Sequence, residues 1–300
     1  MPVQRSGISS DGHKYPVNSL NVVGTQIANN VISFSNDGTM GIWDVKQFSK
    51  PVKVSKFGAF RPSRTNKLPN ILPNMSRISN FCSNLGSSAA TNPLDRPGEM
   101  HDVNVTCCQF PLGDANKYYV GSLNGAMYKN AMHNNNAEKI TMYDEHDGPI
   151  SSISINNPSS EYQALSGLVL TSSYDWTVKL WSPNSTKESM RTFEHSDDYV
   201  YDVSWNPSNP SIFATVNNEG TMHLFDLTKD VEQPLTQVKI NNYAQNKCRW
   251  NAEGSAIISG DSAGNVNLLG LGERYRKLEN ARLDDFETIL TQNKDEVWLM

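Results

Sequence analysis

Apolar and polar residues alternate along short stretches of this chain, and each stretch follows the same turn signal. Thr177-Val178-Lys179-Leu180-Trp181 follows Tyr174-Asp175-Trp176, and weaker copies follow Asn36-Asp37-Gly38, Asn124-Gly125, Glu219-Gly220 and Ala263-Gly264. In four of the five copies glycine holds the last turn position, where its freedom to adopt positive φ suits a tight hairpin. Trp176 holds that position in the third copy. The alternation that follows is the period-2 pattern of a half-buried strand, so each copy predicts a β-hairpin.

The copies recur at a nearly fixed distance: 44 residues from Trp176 to Gly220, 44 from Gly220 to Gly264, and 51 from Gly125 to Trp176. That spacing is the period of a propeller blade. A histidine precedes the turns by about one hairpin, as His13 before Pro16-Val17, His146 before Gly148-Pro149-Ile150, and His195 before Tyr199-Val200. On these residues the chain resembles the WD-repeat family, an all-β fold of four-stranded blades set radially around a channel. In that family a histidine, a strand Ser or Thr, a turn aspartate and a tryptophan form a hydrogen-bonded structural set. The resemblance assigns it here to His146, Ser172 or Ser173, Asp175 and Trp181. The other repeats depart from it, with Phe225 and Leu269 in the tryptophan position and Asn124 before Gly125, and are expected to rely more on apolar packing. His13, His101 and His195 stand at or near blade starts, where a structural hydrogen bond is expected. His133 falls in an Asn-rich loop, and His223 is expected to point outward from its strand.

Five repeat units occupy residues 1–270, where seven blades is the commonest closure of the family. The chain therefore reads as the carboxy-terminal part of a longer propeller lacking about two blades. Open sheet edges would make it marginal or oligomeric alone. Residues 49–98 carry Pro51, Pro62, Pro69, Pro73, Pro93 and Pro97 among Ser and Asn. Such a density of proline is not tolerated inside strands, so a long, disordered loop inserted in one blade is predicted. The 87 residues from Gly38 to Gly125 leave a hidden blade as the rival, with Asn70–Phe81 the place for a short strand. Residues 271–300 form a separate tail in which Gly272–Leu290 spaces apolar residues three or four apart, predicting an amphipathic helix. It would pack on its own propeller or dock another chain.

Three hundred residues at 37% hydrophobic and 19% charged are enough to bury one large core. No apolar run of about 18 residues is present to span a membrane, and the amino terminus lacks the apolar core of a secretory signal. A cytoplasmic location is expected. Cys82, Cys107, Cys108 and Cys248 form no CxxC pair and read as small buried hydrophobes. The sequons at Asn74, Asn104 and Asn184 matter only in a secreted chain. With 26 basic against 31 acidic residues, a net −5, no nucleic-acid footprint is expected. No phosphate-binding GxxxxGK[ST], HExxH or GxSxG motif occurs, and no carboxylate pair sits in an apolar strand context. No catalytic, cofactor or metal site is expected.

Three blocks in order narrow the resemblance. Pro2–Arg5 with His13–Val17 and Asn21–Gln26, then Ser172–Trp181, then Asp198–Trp205 look like the intermediate chains of cytoplasmic dynein, and Phe110–Asp114 with Tyr119–Ser122 fit the same family. The resemblance implies a noncatalytic subunit of a microtubule motor, whose propeller grips the dynein heavy chain. In that family an extended amino-terminal region, absent from this chain, binds the dynein light chains and dynactin. The implied location is cytoplasmic, on the microtubule-associated motor. Contact candidates come from geometry: loops that lead into each blade's first strand commonly carry binding surface. Asp197, Asp198, Tyr199 and Tyr201 lie at such a loop, and Trp176 crowns a turn; aromatic residues there can anchor an interface. The other reading of Trp176 is cover for a neighbouring blade. The alternative function is a generic WD-repeat adaptor, for instance a ubiquitin-ligase substrate receptor. A propeller hydrolase would need converging acid, base or metal residues that the inner strands do not offer.

Overall fold

Strands in this chain bury both faces wherever their sheet lies between two others, as in blades 3 and 4. The computed structural model describes residues 12–24, 29–46, 48–60, 100–132, 140–157, 167–184, 186–230 and 232–272, and every regular element among them is a strand. Blade 1 consists of β1 (Val17–Gly24), β2 (Asn29–Ser35), β3 (Thr39–Asp44) and β4 (Lys53–Lys56). A short ribbon follows, β5 (Gly58–Phe60) paired with β6 (Met100–Asp102). Blade 2 is β7 (Val105–Gln109), β8 (Lys117–Ser122), β9 (Ala126–Ala131) and β10 (Thr141–Asp144). Blade 3 is β11 (Ile150–Ile155), β12 (Val169–Ser173), β13 (Val178–Trp181) and β14 (Ser189–Phe193). Blade 4 is β15 (Val200–Trp205), β16 (Ile212–Asn217), β17 (Thr221–Asp226) and β18 (Thr236–Lys239). Blade 5 has three described strands, β19 (Gln245–Trp250), β20 (Ala256–Asp261) and β21 (Val266–Gly270). Each sheet is an antiparallel meander in chain order.

The first strands of successive blades, β1, β7, β11, β15 and β19, lie side by side and form the inner wall. An innermost strand has one unpaired edge of backbone N–H and C=O groups, which cost free energy if left without partners. Side chains of neighbouring blades meet that need. Asn18 Nδ2 donates to the Val105 carbonyl at 2.8 Å, and Ser19 Oγ both donates to the Cys108 carbonyl (3.1 Å) and accepts from its N–H (3.2 Å). Ser151 Oγ donates to the Val200 carbonyl at 2.6 Å, and Ser154 Oγ accepts from Trp205 N at 2.9 Å. Between blades 4 and 5 the fully buried carboxylate of Asp202 accepts from Cys248 N (2.9 Å) and pairs with Arg249 (2.9 Å) and Lys247 (3.2 Å).

Four apolar clusters fill the seams between blades. Phe34, Met40, Val120 and Tyr128 join blades 1 and 2; Tyr119, Met127, Ile153 and Trp181 join blades 2 and 3. Leu180, Phe193, Val203 and Phe225 join blades 3 and 4, and Val216, Met222, Cys248 and Ile257 join blades 4 and 5. The cross-strand register makes positions comparable between blades. Leu20 faces Ser33, Ile153 faces Thr171, Val203 faces Thr215 and Cys248 faces Ser259. The last three of these first-strand residues are at most 7% exposed, whereas Leu20, whose blade has no described neighbour on that side, is 67% exposed. On the opposite side Val266 and Leu268 are bare in blade 5, while their counterparts Val178, Leu180 and Met222 are buried.

One expectation is corrected here. The loop predicted over 49–98 does not begin at 49: Lys53–Lys56 completes blade 1 and Gly58–Phe60 starts the ribbon. Four residues of alternating pattern suffice for an outer strand, and the proline-rich composition around them obscured it. The rest of that segment, the short strand considered at 70–81, and the helix predicted over Gly272–Leu290, apart from its first residue, lie outside the described residues.

The unequal burial of equivalent positions gives a measurable contrast. Ile153→Ala is expected to destabilise the chain by about 2–5 kcal/mol through loss of burial and an unfilled cavity, whereas Leu20→Ala stays within about 0.5 kcal/mol. Urea unfolding of both variants tests this, and an equally large loss for Leu20→Ala would mean that its face is covered in solution.

Candidate partner-binding face

In blade 3 the hydrogen-bonded set closes around Thr171. His146 Nε2 lies 2.7 Å from Thr171 Oγ1, Trp181 Nε1 donates to the same oxygen at 2.8 Å, and His146 Nδ1 is 2.8 Å from Asp175 Oδ2. Thr177 adds its N–H and hydroxyl to Asp175 Oδ1. The strand member is therefore Thr171, not Ser172 or Ser173. Successive strand residues point to opposite faces, so Ser172 turns to the far side and bonds Ser151 Oγ, while Ser173 Oγ donates to the Gly148 carbonyl and accepts from Asp175 N. Burial raises the Asp175 pKa, but the hydrogen bond and charge of His146 together with Thr177 outweigh it and hold the carboxyl well below its usual range.

Blade 1 carries a counterpart that the sequence reading did not single out. His13 Nε2 sits 2.5 Å from Ser33 Oγ, which also accepts from Trp43 Nε1 at 2.8 Å. The signal was available in the matching distance from Ser33 to Trp43 and from Thr171 to Trp181. Blade 4 keeps His195 Nε2 on Thr215 Oγ1 at 2.9 Å, and Phe225 replaces the tryptophan. Phe225 stacks on Phe213 with ring centroids 4.6 Å apart and packs against His195 at 4.8 Å. His223 is buried, not outward: it shares a face with Thr215, and its ring lies 4.7 Å from that of His195. A third strand covered on both sides by neighbouring blades has no outward face. Burial pushes His195 down to about 3, aided by His223, and burial lowers His223 to about 4.

These networks brace one end of the propeller. Residues 145–149, 194–199 and 240–244 carry the chain from the fourth strand of one blade to the first strand of the next, and the turns between second and third strands share that end. Gly38, Gly125, Trp176, Gly220 and Gly264 all adopt φ between 74° and 89°. At Gly38, Gly125 and Gly220 a Cβ would strike the carbonyl oxygens of Val103, His146 and Asn241. The crossover loop lies directly over these turns. Between blades 3 and 4 the crossover, 194–199, is one residue longer than 145–149 or 240–244, and there the bulky Trp176 occupies the left-handed conformation at φ 74° while 51% exposed.

All five strongly exposed aromatic side chains among the described residues, Tyr15, Tyr174, Trp176, Tyr199 and Tyr243, lie at this end. Tyr174 meets Tyr199 and Tyr201 edge to face, at centroid distances of 5.4 and 5.6 Å. Tyr201 OH donates to Asn218 Oδ1, and Asp198 accepts from Tyr199 N and Asn218 Nδ2. Asp197 is exposed and makes no bond or ion pair among the described residues. Of the predicted contact residues, Asp198, Tyr199 and Tyr201 are thus brought together with Tyr174, which the sequence reading passed over, and Trp176 and Asp197 stand exposed at the same end. Cys107, Cys108 and Cys248 are free thiols whose pKa is raised by burial. Among the described residues no group of His, Cys, Asp or Glu could hold a metal ion.

The family model "WD domain, G-beta repeat" matches residues 137–182 and 187–226. Each match covers the fourth strand of one sheet and the first three of the next. The chain contains WD repeats. A crystal structure of the C-terminal WD40 domain of Sif2 superposes on this WD-repeat chain with a TM-score of 0.56 at 15% identity, covering 87% of this chain and 56% of that one. The fold expected from the repeat landmarks is borne out. So is the resemblance to dynein intermediate chains: over 298 residues the chain is 30% identical to "Cytoplasmic dynein 1 intermediate chain" of Drosophila melanogaster. That similarity takes in 98% of this chain and 38% of the relative, so the chain spans well under half of the relative's length.

The buried histidine pair makes a prediction for acid stability. Unfolded histidines take up protons near pH 6.5, but the folded pair does so only near 4 and 3. As pH falls from about 6.5 to 4 the unfolded chain binds more protons than the native one. Stability is then lost, at no more than about 1.4 kcal/mol per pH unit for each histidine. His223→Phe, which keeps a ring beside His195, is expected to make the stability–pH slope in that window shallower, measured by urea unfolding from pH 7 to 4.5. An unchanged slope would contradict the assignment.

Proposed function

We propose that this chain is a noncatalytic intermediate-chain subunit of a cytoplasmic dynein motor complex, whose propeller binds the dynein heavy chain in minus-end-directed transport along microtubules. The observation that carries this reading is the continuity of its similarity to a dynein intermediate chain. The match runs through 98% of the chain, beyond the repeat landmarks that any WD-repeat protein shares. A generic adaptor, such as a ubiquitin-ligase substrate receptor, would leave that breadth without a cause. The five blades supply a rigid support, and the crossover end with Trp176, Asp197, Asp198, Tyr199 and Tyr201 supplies the contact surface for the heavy chain. Light chains and dynactin would be held through an amino-terminal region outside this sequence, and the assembly would work in the cytoplasm on microtubules.

Tagged protein expressed from its complete coding sequence and recovered from cytosolic extract is expected to bring down a dynein heavy chain together with light chains, identified by mass spectrometry. Recovery of ubiquitin-ligase components without a heavy chain would refute the assignment.

A further inference from the structure

The crossover end of blades 3 to 5 combines three properties that do not arise from packing alone. The first is backbone strain. A bulky residue in the left-handed region costs on the order of 1–3 kcal/mol, and the other four blades avoid that cost with glycine at the same position. Buried tryptophan could offset such a cost through apolar contact, but Trp176 is half exposed. The second is the concentration of exposed aromatic rings, with Tyr174, Tyr199 and Tyr243 at the same end. The third is charge. The six loops and turns 145–149, 173–177, 194–199, 217–221, 240–244 and 261–265 contain eight carboxylates and not one lysine or arginine. Four of those carboxylates, including exposed Asp147 and Asp197, make no hydrogen bond or ion pair through their side chains among the described residues.

We propose that this surface docks a protein segment bearing arginine or lysine side chains, with Trp176 and the tyrosines receiving the cationic groups on their faces and Asp147 and Asp197 pairing with them at the rim. Aromatic faces attract cations through their quadrupole, Trp most strongly, and unpaired carboxylates around them raise the local concentration of positive charge and speed encounter. The spread of the surface over three blades suits a polypeptide, and its negative charge repels nucleic acids and anionic lipid. The inference rests on the reading of this chain as a binding subunit but is indifferent to which partner carries the segment.

The test uses the full chain and fluorescently labelled octa-arginine, with octa-glutamate as the control, followed by anisotropy from about 50 to 300 mM salt. Octa-arginine is expected to bind with an affinity that falls as salt rises, and octa-glutamate not at all. Trp176→Gly restores the residue found in the other four turns, so the variant should melt no lower than the parent, yet bind octa-arginine about fivefold or more weakly. That substitution leaves the net charge unchanged, which separates anchoring from general attraction. Asp147→Asn with Asp197→Asn should flatten the salt dependence. Equal octa-arginine binding by the parent and Trp176→Gly, or comparable binding of octa-glutamate, would overturn the inference. Absence of a heavy chain from the purified complex with octa-arginine binding intact would instead remove the dynein reading and leave this surface standing.

Discussion

Each blade of this propeller has two apolar faces, and only another blade can bury them. A four-stranded sheet with one covered face is common, but here the second and third strands are buried on both sides in blades 3 and 4. Stability is consequently shared between neighbours, as in other repeat architectures, and no blade carries a core of its own. The inner strands add a second condition, since their free backbone edges need partners from the next blade. Serine, asparagine and aspartate on those strands provide them, which explains why such small polar residues occur in what would otherwise read as core positions.

The seams reach the same end by different chemistry. Blades 3 and 4 meet through an aromatic stack of Phe193, Phe213 and Phe225, and blades 4 and 5 through the buried Asp202 with its two cationic partners. In blade 4, where the tryptophan of the hydrogen-bonded set is missing, aromatic packing replaces it, and His195 remains bonded to Thr215 within that packing. The set is thus a local bracing of the crossover loop, and its members can be exchanged as long as the loop still closes over the neighbouring turn.

Much of this was legible in the sequence because the turn position is chemically demanding. Glycine at a fixed offset before an alternating strand marks positive φ, and four of the five turns show it. Histidine and tryptophan landmarks then located the bracing set. What was not legible follows from the same period-2 geometry: spacing identifies a strand, but shifts by one residue reverse its faces, and so the pattern points to Ser172 or Ser173 where the structure has Thr171. His223 was misplaced because alternation suggests an exposed face, and a strand enclosed between two blades has none. Tyr174 went unnoticed because exposure and ring contacts depend on the length of the 194–199 loop, a tertiary property that no local motif reports.

Trp176 has one further meaning, in genetic terms. Tryptophan is specified by a single codon, and one base change converts it to a codon for glycine. The residue that relieves the turn is therefore among the nearest mutational neighbours of the residue that strains it. A strained and solvent-exposed tryptophan at this position sits one mutational step from relief, so the route back to an ordinary turn is open.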